Sequence, residues 1–202
     1  TTNKTQWMAD KAHSEIGFKV KHMMVTNVSG KFTDYDVTVH TDGEDFETAE
    51  VTFSARTTSV TTGAEARDSH LRSADFFDSE TYPELKFKST GVKKTHANAY
   101  VMRGDLTIKA ITNEVQLHVE FGGILKDPWG NDKAGFTLSG KINRKEWGLN
   151  WNAALEAGGV LVSDDVRLNI DIQIVKNNGQ ANEYNKGYKR KPLQILQRLF
   201  YF

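Results

Sequence analysis

The chain has no cysteine in its 202 residues, which excludes disulfides and thiolate metal sites and leaves the redox compartment open. No stretch approaches the roughly 20 apolar residues that carry a helix across a bilayer. Residues 1–10, TTNKTQWMAD, lack a charged start followed by an apolar run, so no secretory signal is expected there. Thr1 is not an initiator Met, so the expected location is cytoplasmic, or periplasmic if a signal peptide was removed. Neither a G-x-S-x-G elbow, a Walker loop nor a dinucleotide fingerprint occurs, which removes the main signals for nucleophilic hydrolysis and phosphate cradling. His13, His22, His40, His70, His96 and His118 form no H-x-H or H-x-x-x-H pair, and no loop matches an EF-hand, so no metal or other cofactor is expected.

The formal net charge is zero, but its distribution is uneven. Beyond residue 176 lie five basic residues, Lys186, Lys189, Arg190, Lys191 and Arg198, against Glu183 alone. The 26 basic and 26 acidic residues of the chain therefore leave 21 and 25 in residues 1–176. A mildly acidic body of this kind argues against nucleic acid as a partner. With 38% hydrophobic and 26% charged residues, the body reads as globular and large enough for a substantial core.

What the sequence does carry is a period of two. In HSEIGFKVKH, Ile16, Phe18, Val20 and His22 share one face, with Glu15, Lys19 and Lys21 on the other. AEVTFSAR, NEVQLHVEFG and VRLNIDIQIVK repeat this alternation, the mark of antiparallel strands with one dry face. Weaker strands are expected at 34–40, 85–92, 99–108 and 135–143, with turns at Asp42-Gly43, Gly122-Gly123 and 127–132. Gly158-Gly159 reads as a turn or bulge. About eight strands joined by short turns favour an up-and-down barrel, which abolishes exposed edges; periodicity alone also admits a sandwich.

One segment departs from this pattern. Thr62-Gly63-Ala64-Glu65 reads as a capping box that opens a helix running to about Phe77, and Pro83 restarts extended chain. The helix holds RDSHLRSADFF (67–77), a cluster of charge beside apolar residues. After residue 176 the alternation ends in a polar Asn/Gly/Lys-rich run and a short apolar-basic terminus. Domain boundaries are set at 1–176 for the barrel and 177–202 for the tail. The tail is open to three readings: a docking segment, an exchanged element of a homodimer, or expression-derived sequence.

The runs HSEIGFKVKHMMVTNVSGKF (13–32), RDSHLRSADFFDSETYPELKFKS (67–89), GDLTIKAITNEVQL (104–117) and VRLNIDIQIV (166–175) together resemble the YceI-like family of bacterial lipocalin-like polyisoprenoid-binding proteins. The matches keep the family's order over roughly residues 5–176, and the tail has no counterpart in the pattern. Ala110 and Asn113-Glu114 replace the family's commoner Gly and basic-Pro choices, which alters a turn. The resemblance implies an all-β, extended eight-stranded antiparallel barrel with a short helix packed near one end. It further implies an apolar channel for a long-chain lipid or isoprenoid, such as an isoprenoid quinone, a polyprenyl phosphate or a fatty amide, held for carriage, storage or sequestration, with no catalytic residues.

On the inward faces the channel is expected to be lined by Phe18, Val20, Phe53, Val115, Leu117, Val119, Phe136, Leu138, Leu168 and Ile170. Phe76 and Phe77 are expected to close it near the helix. Arg67, His70 and Arg72 are candidates for a polar head group, since cations suit a phosphate or carbonyl. The competing structural reading pairs Arg67 with Asp68 to fix the helix to the barrel. Two other functions compete with lipid binding: a lipid-modifying enzyme using His70 as base, and an interaction protein acting through its tail.

Overall fold

The computed structural model describes residues 4–156 and 158–177, so the readings of the tail, apart from Asn177, lie outside the described residues. The strands are β1 (Thr5–Ala9), β2 (Glu15–His22), β3 (Thr26–Phe32), β4 (Tyr35–Asp42), β5 (Asp45–Arg56) and β6 (Val60–Thr61). The helix α1 (Glu65–Arg72) follows, then β7 (Glu84–His96), β8 (Ala99–Ile108), β9 (Ile111–Lys126), β10 (Asp132–Asn143) and β11 (Val162–Lys176). All strand pairings are antiparallel, in the order β1-β4-β5-β7-β8-β9-β10-β11-β2-β3-β6, and a β1–β11 pairing closes the sheet. Closure decides for the barrel over the sandwich.

The eleven segments make eight staves because three staves are interrupted. β1 and β2 lie end to end along β11, with Ala9 opposite Ile174 and Glu15 opposite Asp171. β3 and β4 continue one another in the same way, and β6 prolongs β5 to reach β3. Asp10 holds the break between β1 and β2: its carboxylate accepts from the Ala12 amide, Lys133 Nζ and Gln173 Nε2 at 3.0–3.2 Å, and meets the His13 ring at 3.0 Å. Burial alone would raise the pKa of Asp10, but the hydrogen bonds and charges of Lys133 and His13 outweigh it and hold the carboxyl below its usual range.

Three of these segments escape the alternation rule. β1 and β6 are short, and β3 reads TNVSGKF, where a glycine takes an inward position. Gly30 fills that position because the Phe18 ring opposite lies over it; a Cβ there would come within 2.4 Å of the ring. Gly122-Gly123 is no turn: both residues lie within β9, where the register with β10 slips by one, and Gly123 takes φ +110°. Gly158 and Gly159, also at positive φ, form the turn that returns Val160 to Ala154.

The helix also differs from expectation. It ends at Arg72, and Ser73–Tyr82 descend through turns, with Asp78 at φ +48°. No capping box forms, because Ala64 is the N-cap and offers no side-chain acceptor. Thr62 instead gives both its amide and its hydroxyl to Asp68, at 2.8 and 2.6 Å.

Every stave runs between the same two ends. At the helix end lie α1, the β2–β3 tip, the β8–β9 turn and the 144–161 connection; at the far end lie the β4–β5, β7–β8 and β9–β10 turns. Buried residues converge on the barrel axis, and Trp7 and Trp147, one toward each end, are fully buried. Their indole N–H groups are satisfied at 2.9 Å by Thr41 Oγ1 and by the Leu106 carbonyl respectively.

Candidate functional site

Alternation sends one face of every stave into the barrel, and those faces do not fill it. They leave a cavity of about 260 Å³ that reaches from Phe46, Phe136 and Ile174 at the far end to Leu71, Phe76, Leu149 and Val162 at the helix end. Its wall is aliphatic and aromatic. Among the described residues that line it, Arg144 alone carries a charge. Water in such a space lacks the two to four polar partners it needs, so the cavity suits an apolar occupant.

All of Phe18, Val20, Phe53, Phe76, Phe77, Val115, Leu117, Val119, Phe136, Leu138, Leu168 and Ile170 line this cavity. Phe121 does not; it packs against Phe46 and Phe136 at 5.4 and 5.2 Å. Phe46 and the inward row of β8, with Tyr100, Met102, Leu106 and Ile108, also line the cavity and are not among the residues expected from the alternation above. The β8 row alternates cleanly enough to be found by the same rule. Phe46 gives no such signal, since it follows a turn and stands in the polar run DGEDFETAE.

Arg67, His70 and Arg72 do not line the cavity. Arg67 donates through Nε to Thr62 Oγ1 at 2.7 Å and through Nη2 to the Thr62 carbonyl at 3.2 Å. Arg72 bridges to Glu65 at 2.5 Å. The His70 ring meets Asp75 Oδ2 at 2.8 Å and stands edge-on to Trp151 and Phe76, with centroids 4.5 and 5.1 Å apart. The helix turns Leu71 into the barrel and its cations outward.

The expected Arg67–Asp68 pair is not formed. Asp68 is buried and accepts from Thr61 Oγ1, Thr62 Oγ1 and the Thr62 amide, so it ties α1 to β6 and the chain that leaves it. Burial pushes its carboxyl pKa up, but these hydrogen bonds and the Arg72 charge outweigh burial and hold it below the usual value of 3.8.

Arg144 is the residue the sequence did not reveal. It opens a 310 turn (Arg144–Trp147) and is 4% exposed. Its guanidinium donates to the carbonyls of Ser163 at 2.9 Å, Trp151 at 2.9 Å and Val162 at 3.4 Å, and to that of Leu149. Asp164 Oδ1 lies 3.6 Å away, buried and without a hydrogen-bond partner. Burial lowers the pKa of the guanidinium and Asp164 opposes that shift. With its donors spent on backbone, Arg144 pins the 149–163 connection over the helix end of the cavity. In INRKEWGLNW it looks like one more surface cation, because carbonyl partners leave no mark in side-chain sequence.

The family model of the YceI-like domain matches residues 7–174. A UPF0312 protein of Staphylococcus aureus (strain USA300) is 42% identical over 164 residues, which are 81% of this chain and 93% of that protein. Among solved structures, the Campylobacter jejuni YCEI protein aligns with a TM-score of 0.69 at 33% identity, over 84% of this chain and 96% of its own. A polyisoprenoid-binding domain from Saccharophagus degradans shares the fold, with a TM-score of 0.57 at 13% identity over 85% of this chain and 98% of that one.

Proposed function

The chain belongs to the YceI-like family, and from that premise we propose that its barrel holds one long-chain apolar lipid for carriage, storage or sequestration. The observation that carries this reading is the apolar cavity running between the two barrel ends. The Saccharophagus degradans protein of the same fold is described as a polyisoprenoid-binding domain, which supports an isoprenoid quinone or polyprenyl chain as occupant, with a fatty amide as the other candidate. Each methylene moved from water to such a wall contributes about 0.8 kcal/mol, so a tail of roughly ten carbons gains several kcal/mol before ordering costs. In this reading Phe18, Phe53, Leu117, Leu138, Leu168 and their neighbours on the wall touch the chain.

The helix end is the side from which a chain enters. There the cavity is covered by α1 and by the 149–163 connection, which rest on it through Leu71, Phe76 and Leu149 and are tied to the staves by the hydrogen bonds of Asp68 and Arg144. A head group left at that end lies nearest α1, where Arg67, His70 and Arg72 become available to it once their present contacts exchange. Turnover is the weaker alternative: His70 faces Trp151 and Asp75 and does not reach the cavity wall.

Native mass spectrometry of the purified chain, with extraction of any co-purifying lipid, tests the reading. A retained isoprenoid or fatty amide, or uptake of one offered from a panel of quinones, polyprenyl phosphates and fatty amides, is the expected result. An empty chain that takes up none of them removes the proposal.

A further inference from the structure

The β2–β3 tip is the most exposed apolar segment at the helix end. Met23, Met24 and Val25 are 46%, 55% and 81% exposed, and Val160 of the neighbouring connection is exposed beside them. The Met23 amide donates to the Leu161 carbonyl, which sets this tip against that connection. Met23 and Met24 both stand at positive φ, 51° and 59°, as the two central residues of a turn that the Val25 amide closes on the His22 carbonyl, within a three-residue loop. Asn and Gly suit such a loop without strain, and two methionines do not. The tip thus combines a strained backbone with apolar exposure, and neither serves the fold.

Directly behind the tip, on the outer surface, three cations lie side by side. Arg167 is the register partner of Lys19 on one side and of Lys141 on the other. Like charges placed directly opposite one another repel across a sheet. Lys141 is relieved by Asp165 at 3.0 Å, whereas Lys19, Lys21 and Arg167 have no ion pair among the described residues. Toward this end of these staves and on the adjoining connection, the acidic groups are Asp164, taken up by Lys145 at 3.0 Å, Asp165 and Glu156. Further acids of the helix end, Glu65, Asp68, Asp75, Asp78, Glu80 and Glu146, lie on α1, the turns after it and the 144–147 turn. Val20, Val162 and Val166, on the inner faces of the same staves, line the cavity.

We infer that the helix end docks on an anionic lipid bilayer, with Met23, Met24 and Val25 entering the interface and Lys19, Lys21 and Arg167 facing the head groups. An apolar tip flanked by unneutralised cations is the pattern that binds such a surface, through buried apolar area and charge attraction together. The inference extends the lipid-binding reading by naming where the cargo is exchanged. Docking places the end of the cavity against the bilayer, so an apolar chain passes between them with little exposure to water.

The test is co-sedimentation of the full chain with vesicles of phosphatidylglycerol and phosphatidylcholine in equal parts, and with phosphatidylcholine alone. The chain is expected to bind the first, weakly or not at all the second, and to be released by salt. M23N/M24G and K19E/R167E are each expected to lower vesicle partitioning at least about tenfold while keeping a cooperative melt. W129A, which removes the exposed tryptophan of the far end, is expected to change nothing.

Unchanged binding by M23N/M24G overturns the inference and gives any membrane affinity to another segment, the basic tail first. Loss of binding by W129A overturns it in favour of the far end. Equal binding to both vesicle types removes the role of the cations. Uptake of a detergent-dispersed quinone, measured without vesicles, separates the two readings. Vesicle binding without uptake leaves the docking surface and removes the lipid cavity, while uptake without vesicle binding does the reverse.

Discussion

At the far end of the barrel Phe46 packs on Trp7, Phe121 and Phe136, and Phe121 on Phe136, with centroids 4.9–5.5 Å apart, beneath short turns between continuous staves. At the helix end the staves stop short, and closure falls to α1, a buried arginine and a strained hairpin tip. The far end is held by ring contact and by ladders that carry on to the turns. The helix end has ring contacts of its own, among His70, Phe76 and Trp151, but its covering elements are also fixed by polar contacts from side chains to loop backbone, which can exchange one partner for another. A barrel that must keep its shape yet admit a long chain needs this asymmetry: one end that does not open, and one whose closure is made of separable pieces.

The largest test of the contrast is at the far end. Phe46→Ala removes the ring that touches three others and is expected to cost about 3–5 kcal/mol, seen as a lower urea midpoint. Phe76→Ala at the helix end, where the ring packs on His70 and Trp151, both only partly buried, is expected to cost clearly less. Equal losses would mean that the two ends are equally rigid.

Arg144→Met comes next, at about 3 kcal/mol, because the carbonyls of Leu149, Trp151, Val162 and Ser163 lose a shared charged donor while still buried. The loss is expected to be local before it is global. Amide exchange in residues 149–163 should quicken first, with the β4–β5 region unchanged. Uniform quickening would contradict the picture of a pinned connection.

How much of this asymmetry is legible in sequence depends on what each end is made of. The staves come from apolar alternation, so Phe18, Leu117, Leu168 and the rest of the inward rows declare themselves two residues at a time. β3 breaks the pattern because Gly30 yields its place to the Phe18 ring, a substitution of one strand's side chain for another's that no single segment records. The helix end is harder, since its contacts run from side chain to backbone. Asp68 looks like a partner for the adjacent Arg67, yet it serves threonine donors; Arg144 looks like a surface cation, yet it serves four carbonyls. Charge in the sequence shows what a residue can bind, and the chain path decides what it meets.

Asp68 allows that point to be tested by pH. Its carboxyl is held below the ordinary 3.8, so its contribution is complete above that value and is lost as pH falls through the lower, folded value. Asp68→Asn is expected to cost about 1–2 kcal/mol at neutral pH, since charge-assisted acceptance from Thr61 and Thr62 is replaced by a neutral amide. The gap between wild type and variant should narrow below about pH 4, where wild type gives up the same interaction. Urea midpoints measured across that range check the sign. A gap that widens in acid would show that Asp68 is not the charged anchor of α1.

The smallest expected effect has the opposite sign. M23N/M24G places the residues that favour positive φ at the two positions that demand it, and is expected to raise stability by about 1 kcal/mol. A rise in the urea midpoint would show that wild type carries strain at the helix end that its own sequence could have avoided, as expected of a segment kept for contact outside the barrel. The matching experiment at the far end is to exchange Gly43, at φ +62° in the β4–β5 turn, for alanine, which should lower the midpoint by a similar amount. Opposite signs at the two tips are what the contrast requires: one turn already fitted to its backbone, the other fitted to a partner. The same sign at both would reduce the Met-Met tip to an ordinary hairpin loop and leave the difference between the ends to Phe46 and Arg144 alone.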